Sequence, residues 1–189
     1  MSEKQKSRSI AELISQRRTI HDFKPEPVPD RQAVIDAIHI ARWAPNHHLT
    51  EPWHIYLLGQ ESKDAIISLN TEMLRKSKGE EVAARKQLRW STIPGWLVIT
   101  CDRSADPLQE REDYAACCCL VQNLMLVMWE KEIGMKWSTG PVIHDERFYD
   151  LLWIDPAAEK VVGLFWYGYP DIIPVTARKP VEQLLVELP

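Results

Sequence analysis

The stretch Tyr114-Ala115-Ala116-Cys117-Cys118-Cys119-Leu120-Val121-Gln122-Asn123-Leu124-Met125-Leu126-Val127-Met128-Trp129 decides the fold. Its apolar residues cover every side of a helical wheel, the pattern of a helix buried in the middle of a protein. Gly134 ends it. On either side lie short apolar runs that read as strands: Trp96 to Cys101, apolar at its centre and so interior to a sheet, and Lys160 to Tyr167, the clearest strand of the chain. Between them, Lys136-Trp137-Ser138-Thr139-Gly140-Pro141 reads as a short extended piece turning at Gly-Pro.

Ser9 and Glu12 form a capping-box pattern ahead of a first helix over about residues 10–17. Lys24-Pro25-Glu26-Pro27-Val28-Pro29 cannot be helical, because alternate prolines lack N–H donors and restrict the residues before them. Asp30 caps a second helix whose Val34, Ala37, Ile38 and Ala41 share a face. A polar, proline-bounded loop over 45–53 leads into a buried strand, His54 to Leu58, and Ser62 starts another helix. Residues 71–89 are heavily charged with mixed sign, as a solvated helical face is. Residues 102–113 read as a polar connector, Asp145 caps a short helix, and a proline-containing tail follows Gly168-Tyr169-Pro170. Such a tail either frays or packs on a partner subunit. The order gives an α+β plan, one mixed sheet between helical layers, in a single domain over 1–189.

A chain of 189 residues with 45% hydrophobic and 26% charged residues is an ordinary globular composition. Its net charge of −4 and scattered basic residues lack the footprint of a nucleic-acid binder. No uninterrupted apolar run reaches the about 18 residues of a membrane span, and the polar residues 1–9 do not read as a signal peptide. Three of the four cysteines are consecutive, useless as a disulfide framework. A cytoplasmic protein is the expectation.

Ser15-Gln16-Arg17-Arg18-Thr19-Ile20-His21-Asp22-Phe23 places two guanidiniums, a hydroxyl and an imidazole where the first helix should stop. Guanidinium forks match phosphate oxygens. Cations at a helix end are equally favoured by the helix dipole. His47, His48, Glu51 and His54 could ligate zinc, but HExxH and CxxC spacings are missing, so no metal is expected. Cysteines inside an all-apolar helix are core residues rather than nucleophiles. GxGxxG, GxxxxGK[ST] and GxSxG are all lacking.

The ordered phrases resemble the nitroreductase family of flavin mononucleotide (FMN) oxidoreductases, in its compact single-domain branch. They are Arg17-Arg18-Thr19 with Phe23 and Lys24-Pro25-Glu26-Pro27-Val28; Ala44-Pro45-Asn46-His47 through Glu51-Pro52-Trp53-His54; Ala115, Gln122-Asn123-Leu124, Leu126 and Gly134 to Trp137; and the final Gly-Tyr-Pro and Arg-Lys-Pro. The resemblance implies a mostly antiparallel sheet flanked by helices, a homodimer exchanging the arm 170–189, and FMN at the subunit interface. It implies hydride transfer from NADH or NADPH through flavin N5 to a small nitroaromatic, quinone or enone acceptor, by a ping-pong scheme. Reductive dehalogenation, desaturation or a low-turnover regulatory role are the alternatives within that frame. By carry-over, Arg17, Thr19 and Arg178 hold the phosphate end with Arg18 beside them, His47 approaches from the partner subunit, and Trp137, Ser138 and Thr139 line the ring. His21 stands where the family often has Arg or Lys near flavin N1 and O2, which implies a lower or pH-dependent flavin potential. Glu51 replaces the usual Gln and is left outside the site. Residues 71–93 fall where the family varies, and are a candidate lid.

Overall fold

The computed structural model describes residues 8–189; most of the polar lead, residues 1–7, lies outside the described residues. Helices α1 (Ile10–Gln16) and α2 (Arg31–Ala41) precede strand β1 (Trp53–Leu57). Then come α3 (Gln60–Lys78), α4 (Glu80–Ser91), β2 (Gly95–Asp102), α5 (Pro107–Glu130), β3 (Gly134–Ser138), α6 (Glu146–Leu151) and β4 (Glu159–Gly168). The four strands lie in the order β1-β2-β4-β3, and every neighbouring pair is antiparallel. The parallel component expected of a mixed sheet is, among the described residues, one bridge from Thr19 to Met135.

Period-two alternation sends the sheet's two faces into separate cores. Leu97, Ile99, Phe165 and Met135 meet α2 and α5 on one face. Trp96, Val98, Leu164 and Trp166 meet α3, α4 and α6 on the other. The edge strand β1 is half-buried rather than buried.

Two sequence readings shift. Helix α5 begins seven residues before Tyr114, because Asp106 caps it and Pro107 takes the first helical position, where a missing N–H costs nothing. It is also buried along one face only: Ala116, Cys117, Leu120, Leu124 and Met128 are core, while Cys118, Cys119, Leu126 and Val127 are half-buried. The charged stretch 71–89 is divided at Gly79, whose φ of 85° ends α3 and starts α4. Ala83 within it, and Trp90 and Ile93 just beyond it, are core residues. No helix of the described residues is long and apolar enough to cross a membrane.

The N-terminal stretch is stitched to the β3 edge of the sheet. The Ile20 N–H donates to the Met135 carbonyl (3.1 Å), Lys24 N–H to Tyr169 (2.9 Å), and Asp171 N–H to Asp22 (3.0 Å). Close approach is possible because residue 134 is glycine: a Cβ there would lie 2.4 Å from Ile20 Cγ1.

Candidate functional site

That stitching gathers two groups of cations. At the first, Arg17 is half-buried; burial, then the charges of Arg178 in the tail and of Arg18, pull its pKa below the ordinary arginine value. Among the described residues neither Arg17 nor Arg178 has a carboxylate partner, and Arg178 donates only to the Ala177 carbonyl. Two guanidiniums that feel each other's charge without an acid to neutralise them suit an anion. Thr19, with an exposed side chain, lies two residues on.

Arg18 is employed differently. Its guanidinium donates to the Ser15 (2.7 Å) and Arg17 (2.9 Å) carbonyls at the end of α1. The anion reading and the helix-end reading are thus both realised, one by each arginine.

The second group surrounds His21. Burial first, then Lys136, Arg89 and Lys86, lower the His21 pKa, and Asp22 opposes them. Lys86 and Arg89 come from α4 and Lys136 from β3. Arg89 is tied to the stretch, donating to the His21 carbonyl (3.1 Å) and to the Asp22 carboxylate (2.9 Å). His21 therefore lies within the influence of three fixed cations. Sequence reading missed them. The available signal was Lys86 and Arg89 three apart on one helix face with Trp90 beside them, and Lys136 alternating with Trp137 along a strand.

Trp137 itself points into the core, donating its indole N–H to the Val162 carbonyl (3.1 Å) and packing on Phe165 with ring centroids 5.4 Å apart. It fixes the strand beneath half-buried Ser138 and exposed Thr139. A cavity of about 200 Å³ opens beside His21, Asp22, Phe23, Arg89 and Asp171. A wider cleft of about 540 Å³ between α3 and α6 has its Arg147 already paired with Glu72 and Asp145, so it offers an anion no free cation.

His47 is not brought to this place within one chain. Its Nδ1 lies 3.9 Å from Glu112, near the start of α5, whereas Leu13 of α1 packs with Trp129 near that helix's end. At 1.5 Å per residue the two positions are about 25 Å apart. The His47 loop is held rigidly: Asn46 Oδ1 accepts the Glu51 N–H (2.6 Å), and the Thr50 hydroxyl donates to buried Asp113 (2.5 Å). His48, Leu49 and Glu51 adopt left-handed φ values of 61°, 52° and 45° there. Glu51 is exposed. His54 instead pairs with Asp102 at 2.8 Å. His47, His48 and Glu112 can place ligand atoms within 4.8 Å of one another. No hydrogen bond among the described residues orients either imidazole as a metal site normally requires. Cys117 is buried against Cys101, which pushes its thiol pKa up and makes it an unreactive core group.

Comparison with known proteins places the fold. The model of the nitroreductase family matches residues 14–169. A protein of Bacillus subtilis (strain 168) that carries the provisional name NAD(P)H nitroreductase YfhC is 32% identical over 184 residues, covering 95% of this chain and 94% of its own. A nitroreductase-like family protein from Bacillus cereus superimposes with a TM-score of 0.83 at 28% identity, covering 100% of this chain and 98% of its own. A protein from Desulfovibrio desulfuricans solved in complex with FMN shares the fold, with a TM-score of 0.77 at 22% identity and coverage of 96% and 98%.

Proposed function

The chain belongs to the nitroreductase family, and from that membership and the two cationic groups we propose that it is an FMN-dependent oxidoreductase using NADH or NADPH. The observation that carries the proposal is the Arg17 and Arg178 pair, which has no carboxylate among the described residues. FMN is an anion of suitable form, with a phosphate at one end and an electron-poor ring at the other. When bound, it supplies the chemistry, accepting a hydride from the nicotinamide and delivering it to a small organic acceptor.

The chain's own residues bind and orient. Arg17 and Arg178 neutralise the phosphate, and the Thr19 hydroxyl adds a donor. Ser138 and Thr139, at the end of β3, border the ring, and Trp137 holds them in place from below. Donor and acceptor use the same opening in turn, which is the ping-pong scheme. Because Ala83, Trp90 and Ile93 are core residues, any cover over the acceptor falls to the exposed turn 75–81 rather than to all of 71–93.

The working unit is a homodimer. The cavity of about 200 Å³ beside His21 is smaller than the roughly 300–1,000 Å³ usual for a ligand of this size, which is consistent with a second copy completing the site. The half-buried apolar flank of α5 and the exposed Ile172, Ile173, Val175, Leu184, Val186 and Leu188 of the arm are the surfaces a second copy would cover. His47 would then approach the flavin from the partner.

Titration with FMN, followed by quenching of flavin fluorescence, tests the site. Arg17→Gln and Arg178→Gln each remove a charge-assisted contact of about 1.5–3 kcal/mol, so each weakens FMN binding by roughly tenfold to a hundredfold. Unchanged affinity in both variants contradicts the assignment.

A further inference from the structure

We propose that His47, His48 and Glu112 form a binding site for a divalent cation of the zinc class, held as an exchangeable ion with water in the fourth position. The inference does not rest on the flavin reading; the two share only His47.

Side chains of consecutive residues in an extended chain point to opposite sides, so adjacent histidines do not ordinarily meet. Here they do. Asn46 is extended, and His48 and Leu49 then turn left-handed, with φ of 61° and 52°, a region sparsely populated by residues other than glycine. The turn brings the two imidazoles to one side, with ring centroids 3.9 Å apart. Asn46 fixes that conformation: its Nδ2 donates to the His47 carbonyl (3.2 Å) and to the Thr50 hydroxyl (3.0 Å), and its Oδ1 accepts the Glu51 N–H (2.6 Å).

The third ligand comes from α5, not from the Glu51 and His54 that the sequence offered. Buried Asp113 accepts the Thr50 hydroxyl (2.5 Å), which pins the loop to the helix. Its neighbour Glu112 then meets the imidazoles, with Oε2 3.9 Å from His47 Nδ1. One ligand atom from each of the three residues lies within 4.8 Å of the others. A tetrahedral zinc with bonds of about 2.0–2.1 Å holds its ligand atoms roughly 3.3 Å apart, so small rotations of these side chains close the set. Among the described residues Glu112 has no lysine or arginine partner, and its one ion-pair contact is His47.

The donor set names the class of ion. Two imidazole nitrogens and one carboxylate suit zinc and its neighbours nickel and copper(II), whereas magnesium and calcium take oxygen ligands. Three protein ligands leave one tetrahedral position to water. A hydrogen-bonded partner behind a ligand histidine is worth about 10–100-fold in metal affinity. These rings lack one, so the ion exchanges with solvent rather than remaining resident.

The test titrates the full-length protein, before FMN is added, with zinc in competition with a weakly chelating dye. Wild type should take up one zinc per chain. His48→Gln and Glu112→Gln should each weaken zinc binding by about tenfold or more, while His54→Gln, altered outside the set, should bind as wild type does. Excess magnesium should not displace the zinc. Zinc binding unchanged in both His48→Gln and Glu112→Gln overturns the inference, as does a wild type that takes no zinc from the dye or releases it to magnesium. A protein that binds zinc through these residues but takes up no FMN supports the inference and overturns the flavin reading alone.

Discussion

His21 separates charge from proximity. Burial, then the charges of Lys136, Arg89 and Lys86, lower its pKa below the ordinary value of 6.5. As pH drops through that value the unfolded chain binds the proton first, so the contribution of His21 to stability is present above it and is lost in acid. Between about pH 7 and pH 5, the melting temperature of the FMN-free protein should fall more steeply in wild type than in His21→Gln; equal slopes would contradict this environment. Arg17 and Arg18 offer a second contrast. Arg18→Gln removes a contact to the end of α1 worth about 0.3–1 kcal/mol and should leave FMN affinity within about threefold, unlike Arg17→Gln. The sequence displays the cluster but not the division of labour. Which guanidinium turns to the helix carbonyls depends on the path of the tail more than 150 residues later, and no local pattern encodes that path.

At the level of elements, the site depends on how tightly the 19–24 stretch lies against β3. Gly134→Ala would place a methyl group 2.4 Å from Ile20 Cγ1, forcing apart a contact in which Ile20 is fully buried. We expect a loss of roughly 1–3 kcal/mol in stability, measured by urea denaturation. FMN affinity should fall with it, because Arg17 and His21 move with the stretch. Wild-type stability would show that the close approach is not required. The strands and the helix order were legible because alternation and capping are local signals. Where the reading slipped, a tertiary effect intervened. The polar first two turns of α5 resemble a connector until its Asp106-Pro107 start is recognised. The α4 cations read as solvent-facing because nothing local reveals that Trp90 enters the core beside them. Lys136 is hidden for the same reason, as a strand lysine signals an edge unless the Trp166 ring beneath it is known.

For the whole molecule, the proposed homodimer rests on the exposed apolar surface of the arm. The arm after Pro170 is exposed along its length, with Val175 97% and Leu188 85% accessible. The homodimer reading predicts that deletion of residues 171–189 yields a monomer in sedimentation experiments, whereas Arg178→Gln stays dimeric and loses only FMN affinity. A full-length chain that sediments as a monomer would contradict it. The family was legible in the order of separated phrases, none decisive alone, whereas no local pattern in the sequence encodes the acceptor. The central claim is that the protein carries electrons through bound FMN, and anaerobic mixing of the FMN-loaded protein with NADH or NADPH tests it most directly. The account predicts that the visible flavin band bleaches with one of the two and returns when a nitroaromatic or quinone acceptor is added. A band that remains unchanged with both nucleotides would contradict it.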